Sequence, residues 1–171
     1  MITIRQENKD DYKAVYDLVK EAFASAEHAD GTEQDLVERL RKSDAFVKEL
    51  SLVAIDGKKI IGHILFTKVI LGNTNSLGLA PLAILPSYQK QGIGTILLNE
   101  GHRIAKEMGF QFSVLLGSEK YYPRVGYKRA SLFGITAPFE APDENFMAIS
   151  LQEDNDLQVN AELQYAKEFF I

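Results

Sequence analysis

The sequence predicts an α/β fold in which one mixed β-sheet carries helices on both faces. The 171 residues are about the length of one domain, which can bury roughly 70% of the surface of its unfolded chain. Segments with apolar residues at three-and-four spacing alternate with short apolar or alternating segments. In chain order they give βααβββαβαββ, seven strands and four helices. With no internal repeat, low-complexity tract or linker in the sequence, we expect residues 1–171 to form a single domain.

The N-terminal part predicts one strand and two helices. Residues 2–5 alternate as a short strand, and Asn8 is a favourable N-cap for the first helix. Thr32 is predicted to cap the second helix. The apolar faces of the two helices consist of Tyr12, Val15, Val19, Ala22 and Phe23 in the first and Leu36, Val37 and Leu40 in the second. The polar segment 25–31 between them is expected at the rim of a binding site.

From Leu50 the periodicity becomes that of strands. Residues 50–56 and 60–71 flank an Asp-Gly turn, which is typical of a hairpin. The apolar run 77–85 then indicates a central strand that is buried on both faces. Because Pro81 cannot donate to a β-ladder, we expect this strand to be bulged, or unpaired on one side, near that residue.

The second half of the chain begins with a helix that ends at Gly109. Its apolar stripe consists of Ile93, Ile96, Leu97, Ile104, Ala105 and Met108. Residues 110–116 predict another buried strand, and residues 117–127 a short helix and a turn into an edge segment. A late strand is expected at 146–152 and a last small helix at 160–170.

Composition excludes several classes of function. The formal net charge of -5 argues against a protein that binds nucleic acid through a basic face. The absence of cysteine excludes disulfides, a thiolate nucleophile and thiolate metal sites. The three histidines and the carboxylates lack metal-ligand spacing, so no metal is predicted. No run of 18 apolar residues and no signal-like N-terminus occurs, so we expect a cytoplasmic protein without a membrane partner.

The segment from Gln89 to Thr95 joins the central strand to the third helix. Backbone N–H groups at a helix start lack intrahelical partners, and the helix dipole is positive there, so such a segment can bind an anion. Gly92 and Gly94 would let the backbone approach it closely, and Lys90 could add a donor. Glycines before a helix are also common as simple loop residues. Neither G-x-x-x-x-G-K-[ST] nor G-x-G-x-x-G occurs.

Residues 82–98, LAILPSYQKQGIGTILL, resemble the signature of the GNAT superfamily of N-acetyltransferases. In that family a Q/R-x-x-G-x-G/A segment follows a strand, and Gln89, Gly92 and Gly94 occupy its fixed positions. The resemblance extends over nearly the whole chain. It implies a mixed, mostly antiparallel sheet of about seven strands that splays in the middle, flanked by about four helices.

The resemblance also implies acetyl-coenzyme A (acetyl-CoA) as cosubstrate. The backbone of Leu82, Ala83 and Ile84 would pair with the pantetheine arm like an added strand and polarise the thioester carbonyl. The amides of residues 90–95 would bind the pyrophosphate. The complete set of expected cofactor-binding residues is Leu82, Ala83, Ile84, Gln89, Lys90, Gln91, Gly92, Ile93, Gly94, Thr95 and Tyr122.

In the family the amine attacks the thioester directly, in a ternary complex, and the CoA thiolate leaves. A tyrosine from an F-Y-x-x-x-G-F segment often serves as the acid. Residues 121–127 match this segment and place Tyr122 in the acid position; the alternative is a Tyr122 that only packs and hydrogen-bonds. Pro123 departs from the commoner pattern, which affects the direction expected for Tyr122.

The general base is less clearly marked, because the central strand has no carboxylate. Glu33, His63 and Glu119 are candidates, acting directly or through water. His63 shares a strand face with apolar residues and is better explained as a structural histidine, and Glu33 as a first-turn residue favoured by the helix dipole. His28 falls in the polar connection between the first two helices. His102 is expected to face solvent.

Three hypotheses for function follow. The first is an N-acetyltransferase, monomeric or homodimeric, that transfers the acetyl group of acetyl-CoA to a primary amine of a small molecule or peptide. The second is a non-catalytic acyl-CoA-binding sensor or interaction module, and the third an interaction domain whose glycine loop is structural. Acidic loops at 26–31 and 137–145 would suit a cationic acceptor, or are simply solvated.

Overall fold

The computed structural model describes residues 1–24, 26, 29–153 and 157–170. Seven strands form one sheet in the order β1-β2-β3-β4-β5-β8-β6, and two short strands form a second sheet, β7-β9. In the large sheet only the β4–β5 pair is parallel. The strands are β1 (Ile2–Gln6), β2 (Phe46–Asp56), β3 (Lys59–Leu71), β4 (Thr74–Ile84), β5 (Phe112–Leu116), β6 (Lys128–Arg129), β7 (Ile135–Thr136), β8 (Phe146–Ser150) and β9 (Ala161–Glu162). The predicted mixed, mostly antiparallel sheet is confirmed.

Three α-helices flank the sheet: α1 (Tyr12–Phe23), α2 (Glu33–Arg41) and α3 (Ile93–Glu107). Neighbouring residues of β3 show that the helices lie on opposite faces. Gly62 lies against Leu97 of α3, whereas the next residue, His63, points toward a cluster that includes Arg41 of α2. Side chains alternate between the faces of a strand, so α3 covers one face and α2 the other.

The helix starts follow the sequence signals in part. Asn8 caps a single 3₁₀ turn, Lys9–Asp11, which leads directly into α1. Its side chain accepts from the Asp10 N–H at 3.0 Å, and the Asp11 carboxylate accepts from the Asn8 N–H at 2.8 Å, which is a capping box. Thr32 occupies the N-cap position of α2 but makes no side-chain cap bond.

The central strand β4 is irregular at the predicted place. Its register with β3 shifts between the pairs Ile64↔Leu82 and Phe66↔Leu79, where Ala80 and Pro81 of β4 oppose Leu65 alone. The predicted bulge near Pro81 is therefore confirmed. On its other side β4 pairs with β5 only at Leu77↔Ser113 and Gly78↔Val114. Beyond Gly78 the two strands separate, which is the predicted splay.

The C-terminal segment differs from the prediction of a helix over 160–170. It forms β9 and, after a bridge to β3, a single 3₁₀ turn, Lys167–Phe170. Ile70 and Gln164 exchange two backbone hydrogen bonds of 2.9 Å. Pairing with strands elsewhere in the fold therefore takes the backbone groups that a helix would have used.

Candidate active site

A cleft of about 840 Å³ lies where β4 and β5 separate. Its walls come from the end of β4, the start of α3, the end of α1 and the 3₁₀ turn Tyr122–Val125. The lining residues are Phe23, Ala26, Leu82, Ile84, Tyr88, Gln89, Lys90, Gly92, Ile93, Gly94, Thr95, Gly117, Ser118, Tyr121, Tyr122 and Arg124. The structure thus brings together most of the residues that the sequence predicted to bind the cofactor.

One wall of the cleft is the unpaired edge of β4. The Leu85 N–H donates to Ile61 O of β3 at 2.9 Å. Since backbone groups alternate along a strand, those of Ala83 also point toward β3, and those of Leu82 and Ile84 point to the open side. Leu82 and Ile84 line the cleft, whereas Ala83 is buried and does not. Two of the three residues expected to contact pantetheine are therefore presented to a ligand.

The second wall is the amide loop, residues 90–95. The first intrahelical bond of α3 runs from Ile96 N to Gly92 O at 3.1 Å. Within the described part of the chain, the backbone N–H groups of all six residues of the amide loop have no acceptor. Gly92 has a φ of 83°, a left-handed conformation that glycine adopts without the Cβ penalty. Six free donors at the positive end of a helix form an anion site.

Gly94 serves a different purpose from Gly92. A Cβ on Gly94 would lie 2.7 Å from the hydroxyl oxygen of Tyr121, so a larger residue here would displace that hydroxyl. The Tyr121 hydroxyl also lies 3.2 Å from Oγ1 of Thr95. Tyr121 therefore joins the turn after β5 to the amide loop.

Glutamine side chains brace the segment that precedes α3. Nε2 of Gln89 donates to Ile84 O at 3.0 Å, and Nε2 of Gln91 donates to Ser87 O at 3.3 Å. Gln89 lines the cleft and Gln91 does not. The fixed glutamine of the motif thus ties the start of the amide loop to the end of β4.

Tyr122 lies on the third wall, which the 3₁₀ turn Tyr122–Val125 forms. Its ring packs against Gly117, where a Cβ would come within 2.5 Å, and edge-on against Tyr121 and Tyr127 at centroid distances of 5.0 and 5.7 Å. Burial, and secondarily Tyr121, raises the pKa of Tyr122 to about 12. Its hydroxyl has no hydrogen-bond partner in the described ranges, so it is free to donate to a ligand.

His102 does not face solvent, and that expectation was wrong. Its Nε2 lies 2.9 Å from the hydroxyl of Tyr127, which also lies 2.9 Å from Oγ of Ser113. Burial lowers the pKa of His102 to about 4. His102 therefore supports the tyrosine that packs behind Tyr122. It does not line the cleft.

None of the candidate bases lines the cleft. The Glu33 carboxylate accepts from the N–H groups of Asp30 and Gly31 at 3.0 and 3.2 Å. The Glu119 carboxylate accepts from Nδ2 of Asn145 at 2.7 Å, and its pKa is lowered, first by a backbone hydrogen bond and then by Asn145. Within the described chain, no carboxylate or imidazole is among the cleft-lining residues. His28 lies outside the described residues.

His63 belongs to a buried polar network of Glu7, Arg41, Ser51 and His63. Arg41 Nη2 lies 2.5 Å from Glu7 Oε2, and Ser51 Oγ donates to Glu7 Oε1 at 2.9 Å. Since that bond uses the serine proton, Nε2 of His63 donates to Ser51 Oγ, 3.0 Å away. Nδ1 is left without a partner among the described residues. Burial lowers the pKa of His63 to about 4, which fits a neutral structural histidine.

The residues that line the cleft but were missed by sequence reasoning include Tyr121 and Arg124. Both belong to the segment 121–127 that was used to identify Tyr122. Arg124 N–H donates to Tyr121 O at 3.1 Å within the 3₁₀ turn, which places them one turn apart. The spacing of Tyr121 and Arg124 around Tyr122 was the sequence signal that could have identified them.

The family model for the acetyltransferase (GNAT) family matches residues 12–127. The chain belongs to the GNAT family of acetyltransferases. It is 35% identical over 143 residues to the uncharacterized N-acetyltransferase YjhQ of Escherichia coli K12, covering 81% of this chain and 76% of that protein. It is 29% identical over 169 residues to the uncharacterized N-acetyltransferase YhbS of the same strain, covering 97% of each.

Solved structures of GNAT proteins share the complete fold. The crystal structure of YhbS from Escherichia coli in complex with CoA has a TM-score of 0.88 and 27% identity, and the match covers 98% of this chain and 91% of that one. A GNAT family acetyltransferase from Brucella melitensis in complex with acetyl-CoA has a TM-score of 0.80 and 28% identity, with 99% and 98% coverage. The family and the fold expected from the resemblance are confirmed.

No helix among the described residues is long and apolar enough to cross a membrane. No group of three or more histidine, aspartate or glutamate side chains in those ranges is arranged to hold a metal ion.

Proposed function

We propose that this GNAT protein transfers the acetyl group of acetyl-CoA to a primary amine of a small molecule or peptide, by direct attack in a ternary complex. The observation that carries the proposal is the amide loop, whose six free N–H groups lie beside the unpaired edge of β4. The pyrophosphate would bind the N–H groups, and pantetheine would pair with Leu82 and Ile84. The relatives with bound CoA and acetyl-CoA support this assignment.

The reaction needs an electrophilic carbonyl and a stabilised leaving group. The amine nitrogen forms a bond to the acetyl carbon, the C–S bond breaks, and the sulfur leaves with its electron pair. The Leu82 N–H, on the open edge of β4, would polarise the thioester carbonyl. Family membership supports the transfer of an acetyl group.

Tyr122 would donate a hydrogen bond to the leaving sulfur. With a pKa of about 12, its hydroxyl is protonated throughout the neutral range. A thiol has a pKa near 8.5, so Tyr122 stabilises the developing thiolate mainly as a donor, and a proton that it transfers is regained from solvent. This role needs a hydroxyl without a partner in the protein, which Tyr122, a cleft-lining residue, has within the described ranges.

The attacking amine would lose its proton to water. The described cleft-lining residues include no carboxylate or imidazole, and Glu33, His63 and Glu119 are engaged elsewhere. The pH dependence of kcat/KM is therefore expected to follow the pKa of the amine used, and to move when an amine of different pKa is substituted. A limb that stays at one pH for all amines would identify a protein base.

The test is release of free CoA from acetyl-CoA over a panel of small-molecule and peptide amines. Tyr122→Phe is expected to lower kcat about 100-fold, within the range for lost proton donors, with little change in KM for acetyl-CoA. Tyr165→Phe, a half-buried tyrosine outside the cleft, is the matched control. An unchanged kcat in Tyr122→Phe would remove it from this role. CoA binding without turnover of any amine would instead support a binding module.

A further inference from the structure

Arg124 stands out among the six arginines of the chain. The other five are engaged: Arg5 with Asp11, Arg41 with Glu7, Arg103 with Glu100 and Glu107, Arg129 with Asp143, and Arg39 with the Glu168 carbonyl. Arg124 is exposed on the 3₁₀ turn and has no side-chain partner in the described ranges. An unpaired guanidinium in a chain of net charge -5 is available to an anion.

The position of Arg124 places that charge at the cleft. Arg124 lines it from the 3₁₀ turn Tyr122–Val125. Lys90, on the amide loop itself, likewise has no ion-pair partner among the described residues. The Tyr121 hydroxyl, 3.2 Å from Thr95 Oγ1, links the turn that carries Arg124 to the start of α3. Two unpaired cations therefore line the cleft to which the amide loop also belongs.

CoA carries three phosphates, and the amide loop can bind only some of them. Its six N–H groups can bind the pyrophosphate, which contains two of the three phosphates. The third, on the 3′-oxygen of the adenosine ribose, is a monoester with a charge of about -1.5 to -2 at neutral pH. A guanidinium binds such a group with two parallel hydrogen bonds. We propose that Arg124 recognises this 3′-phosphate and so makes the cleft selective for CoA over 3′-dephospho-CoA; the inference rests on the proposed function.

The experiment measures Kd by calorimetry for CoA and for 3′-dephospho-CoA. The wild-type protein is expected to bind CoA at least about tenfold more tightly, a typical value for one charge-assisted contact. Arg124→Ala is expected to remove this preference while leaving the affinity for 3′-dephospho-CoA within about twofold. Arg124→Lys keeps the charge without the fork and should retain part of the preference.

Arg129→Ala is the matched control, since Arg129 is an exposed arginine five residues away that pairs with Asp143 at 3.2 Å and does not line the cleft. It should keep the full preference. Equal weakening of both ligands by Arg124→Ala would show that Arg124 contacts the pyrophosphate, and would overturn the proposal. Equal binding of both ligands to the wild type would overturn it as well, with the proposed function intact. Failure of the wild type to bind either ligand would reject the proposed function itself.

Discussion

The amide loop and the buried polar network use polar groups in opposite ways. In the buried polar network, Glu7, directly after β1, binds polar groups of α2, β2 and β3, and side-chain exposure falls to 1% for Glu7 and 6% for Arg41. In the amide loop, six successive backbone N–H groups have no acceptor in the described chain, and five of the six residues line the cleft. Paired polar groups hold elements together, whereas preorganised unpaired donors bind a ligand. This difference separates His63, a candidate in sequence, from the residues that line the cleft.

Breaking the buried pair should have the largest effect on stability. Arg41→Met leaves the Glu7 carboxylate buried without its cation, and the expected loss in free energy of unfolding is about 3–5 kcal/mol. Chemical denaturation measures it. Lys13→Met removes the cation of an exposed pair with Asp17, 3.2 Å apart, and should cost no more than about 0.5 kcal/mol. Equal losses in the two variants would show that the buried polar network contributes no special stability.

Acid should weaken the fold next most strongly, through His63 and His102. Each has a folded-state pKa of about 4, below the value of about 6.5 for an unfolded histidine. Between these two pKa values the unfolded chain binds more protons than the folded one. The contribution of each histidine to the free energy of unfolding is therefore fully present above pH 6.5 and is lost as the pH drops toward 4. The size of the pKa shift limits each contribution to about 3 kcal/mol.

The matching measurement is the free energy of unfolding between pH 7.5, where the histidine contribution is fully present, and about pH 4, where most of it is lost. His63→Gln and His102→Gln should each reduce the slope in that window, because glutamine does not titrate. Carboxylates with lowered pKa, such as Asp11, add a loss in the same direction at lower pH. A slope unchanged in both variants would contradict the assignment of these histidines as buried and neutral.

Changing the amide loop should have the smallest effect on stability and a clear one on affinity. Gly92→Ala places a Cβ on a residue with a φ of 83°, at a cost of about 1–2 kcal/mol. Relaxation of this strain displaces the free N–H groups, so CoA should bind about tenfold more weakly. Gly57→Ala, in the β2–β3 turn with a φ of 63°, introduces similar strain without touching the cleft. Gly57→Ala should lower the free energy of unfolding by a similar amount and leave the affinity for CoA unchanged. A reduced affinity in Gly57→Ala would contradict the explanation that Gly92→Ala weakens binding by displacing the free N–H groups.

The parts of the site that sequence predicted are those encoded by neighbouring residues. Gly92, Gly94 and the strand and helix around them lie within one short segment, and Pro81 marks the bulge because its missing N–H is a local property. The register shift beside Pro81 and the separation of β4 from β5 follow as expected. Local chemistry was sufficient for this half of the cleft.

The remainder depends on residues far apart in the chain. His102 is withdrawn from solvent by Tyr127, 25 positions later, and the helical spacing of α3 contains no sign of that partner. The helix predicted at 160–170 gave way to pairing of Gln164 with Ile70. Tertiary contacts of this kind override local propensity. The hydrogen-bond partner of His63 and the position of Arg124 at the cleft could therefore be identified only from the fold.

The most direct test of the amide loop as the phosphate site is a titration of the ¹⁵N-labelled protein with CoA, followed by amide NMR spectra. The backbone amide signals of residues 90–95 are expected to shift together and to saturate with one Kd. Signals of the buried polar network, Glu7, Arg41, Ser51 and His63, should stay in place. Saturable binding that leaves the amide loop unchanged, or no binding at all, would contradict the assignment of the amide loop as the site for the cofactor phosphates.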